Sequence, residues 1–532
     1  MKSFFNRRHT VLMAAMLLIL PAAYATNRQQ TAASKISAVS NQETDTYDRF
    51  IISYREGSGI RNNPAEVAKD VQFAITTSGV GSMVSARSGA RGSPLTVTYK
   101  RKLGVGAELV QTSRKLDPAE ANALMQKIAM NPDVVYVEPD RKLRIEVAAV
   151  PDSHPPRAEV GSKASSTAPL KFDPNDPDYD PFQWNFYAPG SSSANINNGW
   201  NLANGTNVTI AVIDSGMAPN PDSNDTWVCD GYNFSSDDAA YGEKCAWDPG
   251  HPPGNPIGPS TWHGTKVAGV INAKTNNGIG LAGVAYNARL VPLRTVPYDG
   301  AYVSDVANSI EWASGGHVEG FEDAAYPAQV INMSFGNLLP VGQTCANNYP
   351  TLVRAVQDAV ARNVVLVASA GNNNANNASH IPSSCPGVIA VGATDFFGAR
   401  AWYSNYGEAV ALAAPAGGAR PDSTGNYPTC AKNQEWWGCS WMLSNSGTYA
   451  PSPDESPYIA VDVGTSFAAP LVTGTVALMI SARQNVGLPA ATPAQIRDWL
   501  TSSARHFPST PDQPIGSGIL DAHAAVVKAI EN

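Results

Sequence analysis

The sequence is poor in charge. Charged residues fill 15% of its 532 positions, against about 25% in an average globular chain. Disorder requires many charges and few apolar groups, yet 43% of the residues are apolar, so a chain unstructured throughout is excluded. Basic residues are the minority, 37 Lys and Arg against 45 Asp and Glu, for a formal net charge of -8. A nucleic-acid binder needs a basic face, and this balance argues against one. Cysteine is scarce, six in all and never as Cys-x-x-Cys, which removes a common zinc spacing. Past the first 25 residues no unbroken apolar run reaches the ~18 residues of a membrane span.

What is present begins with a secretory signal. Lys2, Arg7 and Arg8 precede an apolar run at 11–19, and Ala23-Tyr24-Ala25 supplies small residues for cleavage after Ala25. The run is too short for an anchor, so the processed protein is expected to be free of the membrane. An even number of cysteines behind such a signal favours disulfides, although six allow 15 connectivities. Pairing each cysteine with its neighbour in sequence gives Cys229–Cys245, Cys345–Cys385 and Cys430–Cys439.

The chain is too long for one ordinary core. Residues 26–48 are polar. Residues 49–146 read as a small α+β unit, with strand-like stretches at 50–54 and 134–137. Between them, Asp117-Pro118-Ala119-Glu120 is a capping box that opens a helix carrying Leu124 and Ile128. Residues 147–170 contain Pro151, Pro155 and Pro156 without periodicity and form a linker open to proteolysis. Residues 171–532 read as one α/β domain. Short apolar runs at 208–213, 330–333 and 364–368 suit strands of a largely parallel sheet, and the helical patterns between them imply helices on both faces.

Three reactive side chains fall at element ends. Asp214 follows the run 208–213, at the carboxyl end of a strand, where parallel sheets collect ligands. His263 stands where a Gly- and Pro-rich loop gives way to a helix. Ser466 begins an apolar helix in which Pro470 is tolerable only near the start. There the backbone N–H groups favour a developing anion. Each residue alone is most simply a turn, surface or capping residue. Together they are the parts of a nucleophilic triad: Ser as nucleophile, His as base, Asp to orient the imidazole. Their chain order, Asp-His-Ser, is the subtilisin order.

The motifs Val212-Ile213-Asp214-Ser215-Gly216, His263-Gly264-Thr265-Lys266-Val267-Ala268-Gly269 and Gly464-Thr465-Ser466-Phe467-Ala468-Ala469-Pro470 resemble those of the subtilisin-like serine proteases, above all the secreted, disulfide-containing subtilases of Gram-negative bacteria. The resemblance implies a subtilisin-like fold and a secreted, monomeric endopeptidase, exported through the periplasm in a Gram-negative host, that acts on proteins and peptides. It implies that Asn372, in Ser369-Ala370-Gly371-Asn372, completes the oxyanion hole. It gives Ser334-Phe335-Gly336 and Ser369, Ala370 and Gly371 to substrate binding, and Tyr403-Ser404-Asn405-Tyr406-Gly407 a structural role. It also implies a structural Ca²⁺ held by Gln183, Asp222 and Asn277 with carbonyls of Thr275, Ile279 and Leu281. The acidic loop 229–259, with Asp230, Asp237, Asp238 and Asp248, is a candidate for a second ion. Two residues depart from the family pattern: Lys266 stands where another His is usual, and Phe467 where Met commonly follows the nucleophile.

By the same resemblance residues 26–146 are an inhibitory propeptide and folding chaperone, with 134–139 as its closing strand. Residues 26–165 carry a net charge of +4 and residues 166–532 carry -15, an opposition that could steer one onto the other. Two rivals remain: an inactive binding protein on the same scaffold, and an α/β-hydrolase esterase, which expects a Gly-x-Ser-x-Gly elbow and His last in the chain.

Overall fold

Alternation of buried side chains shapes the leading unit. Tyr47–Tyr54 (β1) lies between Glu108–Leu116 (β3) and Val134–Pro139 (β4), with Val97–Lys102 (β2) outside β3, in an antiparallel sheet ordered β2-β3-β1-β4. Successive strand residues face opposite sides. Phe50, Ile52 and Val110 meet Val71, Ile75, Leu124 and Ile128 from two helices, Pro64–Ser78 and Pro118–Ala129. Ile51 and Leu109 face the other way, into the core of the following domain. The expected capping box is made, with Asp117 accepting from Glu120 N–H and Glu120 reaching back. The helix Pro64–Ser78 was not foreseen, although Asn63 caps it and Pro64 opens it.

The computed structural model describes residues 32–37, 46–80, 94–146, 172–187, 192–223, 225–249, 261–340, 342–418, 440–444 and 458–532. The signal, the linker 147–170, Cys430 and Cys439 lie outside them.

After Lys142–Leu143 (β5) come Thr209–Asp214 (β6), Arg289–Arg294 (β7), Ala301–Tyr302 (β8), Val330–Met333 (β9), Asn337–Leu338 (β10), Val365–Ser369 (β11), His380–Ile381 (β12), Val388–Thr394 (β13) and Val410–Pro415 (β14). Six of them form a parallel sheet ordered β14-β13-β11-β9-β6-β7. Its strands are buried almost throughout, which is why they read as unbroken apolar runs. On one face Ile210, Val212 and Val367 pack against Val267 and Val476 of the helices His263–Asn272 and Thr465–Asn485. On the other Ala211, Ile213 and Leu366 pack against Ile310 and Val356 of the helices Val303–Ala313 and Pro350–Ala361. This is the expected α/β architecture. One offset matters: Asp214 closes β6 rather than following it. The helix Thr465–Asn485 is long and apolar enough to cross a membrane, but its apolar stretch is 94% buried inside the protein.

Disulfides join Cys229 to Cys245 and Cys345 to Cys385. Among the described residues no cysteine is free.

Candidate active site

Asp214, fully buried at the carboxyl end of β6, presents both carboxylate oxygens to His263 Nδ1, at 2.8 and 3.0 Å. Its Oδ1 also accepts the Ser215 N–H at 2.7 Å, which fixes the carboxylate plane. His263 opens its helix next to the 214–216 turn. A Cβ at Gly264 would collide with the Gly216 carbonyl, so only glycine lets the helix approach this closely. Lys266 pairs with Asp462 at 2.9 Å, just ahead of Ser466.

Ser466 is the second residue of the helix Thr465–Asn485. Its hydroxyl donates to the Ser334 carbonyl at 3.1 Å, and Ser334 Oγ donates to the Ser466 carbonyl at 2.9 Å. The ring of Phe467 lies 5.8 Å from that of His263, which sets the start of this helix beside the imidazole.

Asn372 follows β11. Its Oδ1 accepts both N–H and hydroxyl of Thr465, at 2.9 and 2.8 Å, and its Nδ2 points into the cleft. Asn405, within the segment given a structural role, holds this loop: its Oδ1 accepts from Asn373 and Ala375, and its Nδ2 donates to the Ala370 carbonyl.

The cleft is filled by the chain itself. Lys142 and Leu143 pair antiparallel with β8, and Arg144 exchanges two main-chain hydrogen bonds with Gly336, at 2.8 and 3.2 Å. Of the three residues Ser334-Phe335-Gly336, Gly336 alone meets this segment through its main chain, while Phe335 belongs to the core. Two residues on, the Glu146 carbonyl oxygen accepts from Asn372 Nδ2 at 2.6 Å. Burial alone would raise the Glu146 carboxyl, but His380 and the groups of Asn372 and Asn373 outweigh it and hold it below the usual carboxylate range.

The leading unit also caps two helices of the domain. Asp140 accepts the N–H and hydroxyl of Ser304 at 2.9 and 2.8 Å, and Glu138 accepts the Thr351 N–H at 3.0 Å. Each carboxylate meets N–H groups that a helix start leaves unpaired. Arg101 and Lys142 of the leading unit pair with Asp305, Asp237 and Asp299 of the domain. Sequence reasoning missed Glu138, Asp140, Glu146 and His380, because each acts on residues more than 160 positions away.

The side chains expected to hold the ion bind one another and the loop 275–282. Asp222 Oδ1 accepts Asn277 Nδ2 at 2.9 Å and Oδ2 accepts the Leu281 N–H at 2.7 Å. Gln183 binds both main-chain groups of Ala282, and Asp176 accepts the N–H groups of Asn276 and Asn277. Among the described residues no group of three or more His, Cys, Asp or Glu could hold a metal. The donors are nonetheless hard oxygens, and burial pushes the Asp222 carboxyl up to about 7; a cation beside it would favour the charged form. The candidate ligands are thus drawn to the loop 275–282, with Asp176 as an unforeseen second carboxylate there. In the acidic loop Asp230, Asp237 and Asp238 are instead paired with Arg289, Lys142 and Arg294, and Asp248 with Ser215 and Arg294.

The subtilase family profile matches residues 205–518. The chain belongs to the subtilase family. It is 34% identical over 499 residues to the "Extracellular protease" of Xanthomonas campestris pv. campestris, covering 91% of this chain and 73% of that one. It is 32% identical over 507 residues to the "Extracellular basic protease" of Dichelobacter nodosus, covering 92% and 72%. Among solved structures, a protease from Pseudoalteromonas arctica aligns at 38% identity and TM-score 0.58, over 67% of this chain and 99% of that one. Fervidolysin from Fervidobacterium pennivorans shares the fold at TM-score 0.63 and 22% identity, over 92% of this chain and 62% of that one. This subtilase is a serine protease.

Proposed function

We propose that this subtilase is a secreted endopeptidase, made as a zymogen and activated by removal of residues 26–146. Ser466 attacks the scissile carbonyl. His263 takes the serine proton and returns it to the leaving amine, Asp214 orients the imidazole and stabilises its charge, and Asn372 Nδ2 holds the oxyanion. The acyl-enzyme formed on Ser466 is then hydrolysed. The observation that carries this reading is residues 142–146, which lie as an added strand between β8 and Gly336 with a carbonyl oxygen 2.6 Å from Asn372 Nδ2. An extended protein substrate would bind by the same main-chain pairs. The propeptide would thus inhibit by occupying the cleft, and would aid folding through the helix caps made by Glu138 and Asp140. The names of the two relatives, both extracellular, and the signal-like start support secretion. Calcium would be held by Asp222 with Asn277, Gln183 and nearby carbonyls, and would favour the charged form of the buried carboxylate. We take the mature enzyme to be monomeric.

The test is the Ser466→Ala variant in the full chain. It should keep the far-UV spectrum of the parent, lose hydrolysis and fluorophosphonate labelling, and accumulate with its propeptide attached. The secreted parent should be labelled and should begin in or at the edge of the linker. A mature start at residue 26 would overturn the zymogen reading.

A further inference from the structure

We propose that the primary specificity pocket of this subtilase selects a glutamate side chain through His380, and that the enzyme frees itself by cutting Glu146–Val147. The inference rests on the protease reading above and deepens it.

The carbonyl oxygen on Asn372 Nδ2 identifies Glu146 as the residue whose side chain enters the primary pocket. That side chain is held by Nε2 of His380, 3.2 Å from Oε2, and the Asn372 N–H donates to the same oxygen at 3.2 Å. His380 is fully buried, 0% exposed, at the start of β12. Its orientation is fixed from behind: Nδ1 lies 2.8 Å from Ser383 Oγ, which accepts Asn377 Nδ2 at 2.8 Å. Ser383 Oγ also donates to the His380 carbonyl at 3.4 Å, and the ionised carboxylate on the other side of the ring can only accept. Nε2 then carries the proton and faces the carboxylate as a donor.

Two glycines make room for this ring. A Cβ on Gly336 would collide with His380 Cε1, and one on Gly371 would come 2.6 Å from His380 Nε2. Gly371 also has φ 103°, a conformation open mainly to glycine. Both belong to the stretches expected to bind substrate, so the imidazole forms part of the pocket wall. A buried donor aimed at a substrate carboxylate favours the charged side chain, and an apolar side chain in its place leaves that donor unpaired.

The chemistry balances as hydrolysis. Ser466 Oγ bonds to the Glu146 carbonyl carbon, and the carbon–nitrogen bond to Val147 breaks. The serine proton passes through His263 to the leaving nitrogen. Water then splits the ester, regenerating the hydroxyl and leaving Glu146 with a free carboxylate.

The experiment measures kcat/KM of the secreted enzyme on internally quenched peptides that differ only at P1, as Glu, Gln, Leu or Phe, alongside fluorophosphonate labelling and N-terminal sequencing. The expected result is a Glu preference over Gln and Leu of roughly tenfold to hundredfold, loss of that preference in His380→Leu, and a mature start at Val147. Glu146→Lys should slow processing at that bond. Should His380→Leu fail to fold, the parent's P1 profile and start site decide alone. An enzyme that is labelled but prefers Leu or Phe overturns the inference and leaves the protease reading intact. A secreted protein that is never labelled overturns the protease reading, and the inference with it.

Discussion

Ser334 and Ser466 exchange hydrogen bonds, side chain to main chain in each direction, at 2.9 and 3.1 Å. With the cleft filled by residues 142–146, the proposed nucleophile therefore rests on the Ser334 carbonyl. The exchange also ties the end of β9 to the first turn of the Ser466 helix. Ser334 Oγ accepts Asn332 Nδ2 at 2.9 Å, and Asn332 Oδ1 accepts Thr473 Oγ1 at 2.9 Å, so the tie runs deeper into the same helix. Ser334→Ala should leave two buried polar groups without a partner and cost about 1–3 kcal/mol. Denaturant unfolding in a Ser466→Ala background, free of self-digestion, is the measurement. An unchanged midpoint would show the exchange to be incidental.

Asn372 performs two tasks with one amide. Its oxygen holds Thr465, and its nitrogen faces the carbonyl in the cleft. Asn372→Asp keeps the acceptor and removes the donor. We expect kcat to fall by about 10²–10³, a magnitude taken from subtilisin itself, a member of this family, with little change in thermal midpoint. A comparable fall in stability would assign the residue a structural role instead.

Release of the cleaved propeptide should become easier with rising pH. Glu138 is buried against the Thr351 N–H, and burial pushes its carboxyl up to about 8 in the complex. The Thr351 groups and Arg141 pull it down, and Asp140 adds to the rise. Free in solution the carboxyl returns to the ordinary range near 4.5. A raised acid favours the complex fully below the free value, and the advantage is lost as pH climbs through the bound value. Glu146 shifts the other way, so its contribution to the complex is lost as pH falls rather than as it rises. Activity recovered from the processed complex should therefore rise from pH 5 to 8, and Glu138→Gln should flatten the curve. Added salt should act in the same direction by screening the Arg101 and Lys142 pairs.

Calcium removal supplies a separate check. If Asp222 anchors a cation, chelation should lower the thermal midpoint of the mature enzyme, and added Ca²⁺ should restore it. Asp222→Asn should start lower in calcium and respond little to the chelator. An equal response in parent and variant would move the ion elsewhere in the molecule.

Asp214, His263 and Ser466, the residues proposed for catalysis, stand out in the sequence because each carries a local signature of its own: an acid closing an apolar strand, a histidine and a serine opening helices. The parallel sheet was legible for the same reason, since strands buried on both faces cannot hide their apolar character. Other features depend on one surface meeting another. The strand Lys142–Leu143 is too short to read as a strand, and it acquires its pairing only from β8. Glu138 and Asp140 look like ordinary charges until the helix starts at Thr351 and Ser304 are brought to them. His380 sits beside no motif, and its importance emerges only when Gly336 and Gly371 close around it. The carboxylates of the acidic loop likewise take arginine and lysine partners far along the chain, which the local run of acids does not announce.

Phe467 carries the last prediction. Its ring is buried, 3% exposed, and lies 5.8 Å from the His263 imidazole at an angle of 43°. A thioether in this place, directly after the nucleophile, would be open to oxidants that reach the cleft. Conversion to the sulfoxide would set a polar oxygen beside the imidazole. A benzyl ring has no sulfur to oxidise. Met217, Met333 and Met479 are all buried and are common to parent and variant. In peroxide the parent should therefore lose activity several-fold more slowly than Phe467→Met, and the variant's inactivation should track the gain of one oxygen atom on the peptide that carries residue 467. Equal inactivation rates would mean that peroxide acts elsewhere and that Phe467 confers no protection.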